Sequence, residues 1–133
     1  MQDCQAIMAK SPGHQQHPDH KVIGKLLEQR MKVEVSGEVV ADSRNVLRVD
    51  EDGHSPRYYF PRADVSMGKL SRTETTTYCP FKGTARYFSL TAGGRELKDA
   101  VWTYEQPYEE HPALKDRVAF YEGKFPEIAI HPG

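Results

Sequence analysis

The chain has 133 residues, of which 38% are hydrophobic and 28% are charged, a composition typical of one soluble globular domain. The 18 basic and 19 acidic residues give a formal net charge of -1, which disfavours a nucleic-acid partner, because such a partner usually meets a basic excess. Every apolar run is far shorter than the roughly 20 residues that a membrane helix needs, so we expect no membrane partner.

The N-terminal residues 1–20 are rich in Gln, His, Pro and Gly and carry few apolar side chains. Such a segment has little apolar surface to bury, so we expect a mobile N-terminal tail over residues 1–20 and a single β domain over residues 21–133. Residues 22–29 place their apolar side chains at roughly helical spacing, which predicts a short helix, although Gly24 weakens it.

From residue 30 onwards, short apolar runs are separated by turn residues, a pattern typical of β-strands. The Ser36-Gly37 and Gly93-Gly94 dipeptides predict tight hairpins, because glycine accepts the positive φ that such turns need. The predicted strands cover residues 31–35, 38–41, 46–49, 57–60, 75–79, 84–90, 95–104 and 117–121. Strands at this spacing predict a mainly β fold, arranged as a sandwich or a barrel-like pair of sheets.

The remaining segments are predicted to be turns or short helices. Residues 63–70 are expected to form a loop with one helical turn, and residues 109–115 a short helix with Pro112 in its first turn. The segment 125–133 is expected to be a tail that either docks or frays. These one or two helical turns do not change the mainly β prediction.

The sequence Pro80-Phe81-Lys82-Gly83 has the chemistry of a hairpin turn. Proline presets φ at the first corner, and Gly83 can adopt the left-handed conformation at the exit. A four-residue loop would place Cys79 opposite Thr84 on the neighbouring strand.

The chain contains two cysteines, Cys4 and Cys79. One disulfide is possible, but it would tether a predicted tail, so two reduced thiols in the cytoplasm are the simpler interpretation. The first residues also lack the basic stretch and apolar run of a secretory signal, which again favours a cytoplasmic location.

His14, His17 and His20 are spaced three residues apart, which on a helix would bring them near one face as metal ligands. The prolines and glycine between them disfavour that helix, and the chain has no Cys-x-x-Cys motif. The acidic triplet 50–52 precedes a glycine and is interpreted as a solvated turn. We therefore expect neither a metal site nor a cofactor.

The segment 75–87 concentrates reactive side chains, including a thiol, an amine, several hydroxyls and two phenols. Lys82 lies three residues after Cys79 across the predicted turn, and a nearby ammonium would favour the nucleophilic thiolate. Cys79 and Lys82 are therefore the candidate catalytic residues. The alternative is a half-buried structural cysteine beside a turn lysine, and the sequence leaves open whether any reaction occurs.

Several runs occur in a fixed order and spacing, namely residues 37–43, 58–65, 77–87, 100–107 and 118–121. In this arrangement the chain resembles the bacterial and fungal domain-of-unknown-function family 427, which also carries the label nucleotidyltransferase-like. The resemblance implies a β-tent-like fold of two antiparallel sheets pinned at one end. It implies no established activity, and the spaced carboxylates that metal-dependent nucleotidyl transfer requires are not evident.

The resemblance further implies that a set of signature residues clusters. We expect them to line a small-molecule pocket between the sheets, near the turn at residues 77–83. The predicted ligand-binding residues are Tyr59, Arg62, Thr77, Cys79, Lys82, Trp102 and Tyr104. Aromatic walls with a few polar groups are typical of small-molecule sites, and Arg62 and Lys82 would favour an anionic group. The alternative is a non-enzymatic scaffold or interaction domain in which the same residues are structural. The oligomeric state stays open.

Overall fold

The computed structural model describes residues 10–133, which form ten β-strands, one short α-helix and three single turns of 3-10 helix. The strands are β1 (Val22–Leu26), β2 (Met31–Val35), β3 (Glu38–Ser43), β4 (Leu47–Glu51), β5 (Arg57–Phe60), β6 (Leu70–Cys79), β7 (Gly83–Ala92), β8 (Arg95–Thr103), β9 (Val118–Phe120) and β10 (Ile128–Pro132). The helix α1 spans Pro12–Gln16, and the 3-10 turns span Arg62–Asp64, Met67–Lys69 and Pro112–Leu114. No helix within residues 10–133 has the length and apolar character needed to cross a membrane.

The strands form two antiparallel sheets, which confirms the predicted fold class. The larger sheet has seven strands in the order β1-β4-β5-β9-β8-β7-β6, and the smaller has the order β10-β2-β3. The Ser36-Gly37 hairpin joins β2 to β3 with positive φ at both residues, as predicted. The C-terminal segment docks, because β10 pairs with β2 along its whole length.

The main hydrophobic core lies between the two sheets. Strand β2 alternates buried and half-buried residues, so that Val33 and Val35 face the larger sheet. The larger sheet contributes Phe60, Leu90 and Phe120, each almost completely buried. Burial of side chains of this size stabilises the fold by about 1.5–3 kcal/mol each. We call this side of the larger sheet the core face.

The opposite side of the larger sheet carries a second, aromatic cluster, and we call it the cavity face. Because side chains alternate along a strand, Trp102 and Tyr104 lie on the side opposite to Val101. The register aligns Leu47 with Tyr59, and Ala119 with both Tyr59 and Trp102. Cross-strand partners share a face, so the alignment gathers residues from strands far apart in sequence.

Residues 11–20 contact the β6–β7 turn. The Ser11 side chain is fully buried and donates to the carbonyl oxygen of Pro80 at 2.6 Å, and the amide of Gly13 donates to the same oxygen. A Cβ at position 13 would lie 2.7 Å from the Phe81 ring, so only glycine fits there. Residues 1–9, including Cys4, lie outside the described residues.

The helix predicted over residues 22–29 is wrong, because residues 22–26 form β1 at the edge of the larger sheet. Strand β1 pairs with β4 along all five residues, and Gly24 lies close to the side chain of Leu47. Backbone pairing with an open sheet edge replaces the intrahelical hydrogen bonds, and Gly24 disfavours a helix in any case. The spacing of the apolar residues alone did not distinguish a helix from an edge strand.

The predicted loop between β6 and β7 is one residue longer than the loop in the structure. Cys79 pairs with Gly83 rather than Thr84, so the loop contains only residues 80–82. Gly83 has φ +121°, which is positive as expected but more extended than the left-handed helical value of about +57°. The loop around residue 107 packs onto this turn, and the Tyr108 amide donates to the Lys82 carbonyl oxygen at 3.0 Å.

Candidate ligand-binding cavity

A cavity of about 190 Å³ opens on the cavity face beside the β6–β7 turn. Its apolar and aromatic wall is formed by Val49, Tyr59, Tyr87, Trp102, Tyr104 and Tyr121. Its polar wall is formed by Glu51, His54, Ser55, Arg57, Cys79 and Lys82. None of these residues belongs to the smaller sheet, so the cavity lies beside the turn, as expected, but not between the two sheets.

Tyr59 and Trp102 form the rigid floor of the cavity. The Trp102 indole N–H donates to the Tyr59 hydroxyl at 3.0 Å, and the two rings meet edge to face at 6.1 Å. Tyr59 is only 1% exposed, and Tyr121 packs against the other part of the indole. Edge-to-face pairs with a satisfied polar tip hold their rings in fixed orientations.

Tyr104 differs from Tyr59 because its hydroxyl has no hydrogen-bond partner among residues 10–133, although the residue is only 6% exposed. Burial raises the pKa of Tyr104 well above its ordinary value, and the neighbouring Tyr59 and Cys79 act in the same direction. Burial likewise raises the pKa of Tyr59, against the opposing effect of the hydrogen bond from Trp102. Both phenols therefore stay protonated at neutral pH.

Glu51 connects one lysine and two histidines at the edge of the cavity. Its carboxylate is paired with the ammonium group of Lys82, and both side chains are about 10% exposed. His20 approaches the other carboxylate oxygen at 2.9 Å, and His54 lies 3.8 Å from it. Burial alone would raise the pKa of Glu51, but the hydrogen bonds from Lys82 and His20 lower it below its usual value, so Glu51 is charged at neutral pH.

Arg57 is the second cation of the cavity. Within residues 10–133 its guanidinium makes no ion pair and no hydrogen bond, and its central carbon lies 6.0 Å from the centre of the Tyr121 ring. An arginine over an aromatic face gains a modest cation–π attraction that leaves its hydrogen-bond donors available. The described residues therefore leave the Arg57 charge uncompensated.

The structure brings most of the predicted ligand-binding residues to this cavity. Five of the seven line it, namely Tyr59, Cys79, Lys82, Trp102 and Tyr104. Thr77 is exposed and reaches the cavity only indirectly, through a 3.0 Å hydrogen bond to the Tyr87 hydroxyl.

Arg62 lies on the core side of the larger sheet, away from the cavity. Its guanidinium donates to the Asp116 carbonyl oxygen, to the Thr103 hydroxyl and to the Glu105 carboxylate, at 2.8 to 3.2 Å. The side chain of Thr103 points to the side opposite to Trp102 and Tyr104, because neighbouring residues alternate along β8. The structure therefore separates Arg62 from the other predicted residues.

Glu51 and Arg57 line the cavity but were not among the predicted site residues. Glu51 was interpreted as part of a solvated acidic turn, but β4 extends through it. The period-two pattern could have identified it, since Leu47, Val49 and Glu51 occupy alternate positions and share one face. In the same way, Arg57 shares a face with Tyr59 two residues later.

The three N-terminal histidines do not meet. His14 lies 2.9 Å from His111 through the two Nε2 atoms, whereas His20 contacts Glu51 and stacks on the ring of Phe81. Across residues 10–133, no group of three or more His, Cys, Asp or Glu side chains is arranged to hold a metal ion.

The fold and the cavity define a small, mainly β domain of two antiparallel sheets, with an aromatic cavity on the outer side of the larger one. The family model described as "Domain of unknown function (DUF427)" matches residues 25–130, so the chain belongs to this family. The match confirms the resemblance and includes every residue that lines the cavity. No curated protein matches the chain.

Proposed function

We propose that this domain binds a small molecule in the cavity beside the Cys79–Gly83 turn. The observation that carries the proposal is Tyr104, a residue of the cavity wall that is only 6% exposed and whose hydroxyl makes no hydrogen bond among the described residues. A buried hydroxyl without a partner costs about 1–3 kcal/mol, so most such groups in folded proteins are satisfied. An acceptor atom of a bound ligand would satisfy this one.

The size and lining of the cavity support a small ligand. Its volume of about 190 Å³ is somewhat larger than the roughly 150 Å³ that accommodates a benzene molecule in an apolar cavity. Aromatic walls with a few convergent polar groups are the usual composition of small-molecule sites. A single ring with one or two small substituents matches this space.

Cys79 and Lys82 are the residues through which the same cavity could also act chemically. Both line it, but the ammonium of Lys82 is engaged by Glu51, and no hydrogen bond within residues 10–133 involves the Cys79 sulfur. Catalysis by Cys79 therefore stays a prediction, and binding is the part of the proposal that the geometry supports.

A scaffold function is the second candidate, and the surroundings of Arg62 and Thr77 favour it. Both residues lie in the motifs that carry the family resemblance, yet both make structural contacts. Arg62 hydrogen-bonds from its 3-10 turn to β8, and Thr77 hydrogen-bonds to the hydroxyl of Tyr87. If all of the signature residues act in this way, the cavity has no occupant in solution.

The single tryptophan of the chain gives a direct test. We would titrate the protein with a library of one-ring aromatic fragments and follow the indole N–H resonance of Trp102, which lies in the cavity wall. The proposal predicts that some fragments shift this resonance in a saturable manner. Those fragments should also protect Cys79 from alkylation by iodoacetamide, measured in a Cys4→Ser background.

Two tyrosine variants provide the control for this titration. Tyr104→Phe removes the proposed donor and should weaken the binding of the fragments that carry an acceptor. Tyr78→Phe is the matched change, because Tyr78 is 58% exposed and pairs with Tyr108 outside the cavity. If no fragment shifts the Trp102 resonance, the scaffold function is favoured instead. If both variants bind the fragments alike, the cavity binds a ligand but the Tyr104 hydroxyl is not the donor.

A further inference from the structure

We infer that the ligand of this cavity is a small monoanion whose charged group is bound by Arg57 and whose second, neutral acceptor is bound by the hydroxyl of Tyr104. This inference rests on the proposed function and specifies its ligand. It replaces the anion-binding role that the sequence analysis gave to Arg62 and Lys82.

The first argument is the charge of the cavity wall. The wall contains one carboxylate, Glu51, and two permanent cations, Arg57 and Lys82. Glu51 and Lys82 neutralise each other, and they are nearly buried, so a ligand gains little from either. One positive charge remains, on Arg57, and it matches a ligand with one negative charge.

The second argument is the geometry of Arg57. Its side chain lies half-buried at the cavity, where the ring of Tyr121 supports the guanidinium. The planar fork of an arginine binds a carboxylate through two parallel hydrogen bonds, and a rigid aromatic support reduces the entropy lost on binding. An unpaired arginine in this position is suited to a planar anion.

The third argument is the chemistry of the cavity floor. Tyr59 and Tyr104 are both buried and protonated, and Tyr59 already accepts the indole hydrogen bond of Trp102. The hydroxyl of Tyr104, in contrast, makes no hydrogen bond within residues 10–133, so both its donor and its acceptor sites are available to a ligand. A carbonyl or ether oxygen of the ligand would accept a hydrogen bond from this hydroxyl.

The test uses 3-acetylbenzoate and 4-acetylbenzoate as probes, with the corresponding acetylbenzamides as neutral counterparts of almost the same shape. Each probe is titrated against the intact protein at low salt and observed through the Trp102 indole resonance. The inference predicts that at least one benzoate binds about tenfold or more tightly than its amide, because a charge-assisted hydrogen bond is stronger than a neutral one.

Three arginine variants identify the residue responsible. Arg57→Met should abolish the preference for the benzoate, and Arg57→Lys should restore part of it. Arg48→Met is the control, since Arg48 lies on the neighbouring strand and pairs with Asp50 on the other side of the sheet. A loss of preference in Arg57→Met with an unchanged Arg48→Met supports the inference.

Other outcomes would overturn the inference without deciding the proposed function. Equal binding of benzoates and amides would retain a ligand cavity but remove the anion requirement. A benzoate preference that persists in Arg57→Met would assign the charge recognition to another residue. If neither probe binds, the monoanion class is rejected, and the fragment titration decides separately whether the cavity binds any ligand.

Discussion

The phenols of Tyr59 and Tyr104 are both buried, but their hydroxyls are satisfied differently, and this difference can be measured. Tyr59 accepts the indole N–H of Trp102, whereas the Tyr104 hydroxyl has no partner in the described part of the chain. Removal of a tyrosine hydroxyl that is hydrogen-bonded within the fold lowers the free energy of unfolding of the protein. Removal of a buried hydroxyl that has no partner within the fold does not.

We expect Tyr59→Phe to lower the free energy of unfolding by about 1–3 kcal/mol, because the buried indole N–H then has no acceptor. Tyr104→Phe should leave it unchanged or raise it slightly, because an unsatisfied hydroxyl is removed. Urea unfolding of both variants without added ligand measures the two effects. A loss in Tyr104→Phe as large as that in Tyr59→Phe would contradict the assignment of Tyr104 as a ligand donor.

The Glu51–Lys82 ion pair gives a second prediction at the scale of single residues. Each side chain is about 10% exposed, so removal of one partner leaves a poorly hydrated charge. We expect Glu51→Gln and Lys82→Met each to lower the free energy of unfolding by about 3 kcal/mol. The double variant should lose clearly less than the sum, because no charge is then left unpaired. Additive losses would show that the two groups act independently.

Among the elements, the β6–β7 turn determines where Cys79 and Lys82 lie. Gly83 combines φ +121° with a close approach to the 106–108 loop, since a Cβ there would lie 3.2 Å from the Gln106 carbonyl oxygen. Side chains other than glycine are strained in this conformation. The turn therefore depends on this glycine.

We expect Gly83→Val to destabilise the protein by about 1–3 kcal/mol, through the strained backbone and the contact with the neighbouring loop. Gly68→Ala is the control, because no atom lies within 4 Å of the added Cβ and its φ is not positive. Thermal unfolding of both variants measures the difference. Equal melting temperatures for Gly83→Val and the unmodified protein would show that the turn tolerates a side chain.

The sequence predicted most strands but not all of their partners. Alternation and turn residues located β2, β3 and β5 well, because these signals are local. Strand β1 was predicted to be a helix, because it forms a strand only by pairing with the free edge of β4, about 25 residues later in the sequence. The contacts of residues 11–20 depend on the shape of the Pro80–Phe81 turn, and the amino-acid composition of the N-terminal segment does not predict that shape.

At the scale of the whole molecule, two histidines at distant sites couple folding to pH with opposite signs. Burial, together with the nearby His14, lowers the pKa of His111, so the folded state favours its neutral form. Hydrogen bonds to the Pro132 carbonyl oxygen and the Glu34 carboxylate raise the pKa of His131, so the folded state favours its charged form. Acidification below the unfolded value of about 6.5 therefore removes stability at His111. At His131 the stability is gained as the pH falls towards that value from above, and it is fully present below it.

We expect the change in melting temperature between about pH 8 and pH 5 to depend on which histidine is replaced. On acidification, the melting temperature of His111→Gln should fall less than that of the unmodified protein, and the melting temperature of His131→Gln should fall more. Each fall is measured from the value of the same protein at high pH. Thermal unfolding across this range provides the measurement. Shifts of the same sign in both variants would contradict the assigned environments.

The sequence predicted which residues form much of the candidate site, but not which face of the larger sheet they occupy. Five of its residues were identified through the family resemblance, and all five line one cavity. Arg62 was misplaced because it lies in the 3-10 turn after β5, from which its guanidinium reaches Thr103 on the core side of the sheet. Glu51 and Arg57 were missed because a charged residue near a turn is usually solvated, although alternation along β4 and β5 places both on the cavity face with Val49 and Tyr59.

The central claim is that the cavity binds a small ligand through the hydroxyl of Tyr104, and a crystal structure of the protein soaked with 4-acetylbenzoate tests it most directly. The account predicts difference density for the probe, with its carbonyl oxygen within hydrogen-bond distance of the Tyr104 hydroxyl and its carboxylate against Arg57. Density for ordered water alone in the cavity, or a Tyr104 hydroxyl that donates to another protein group, would contradict the claim.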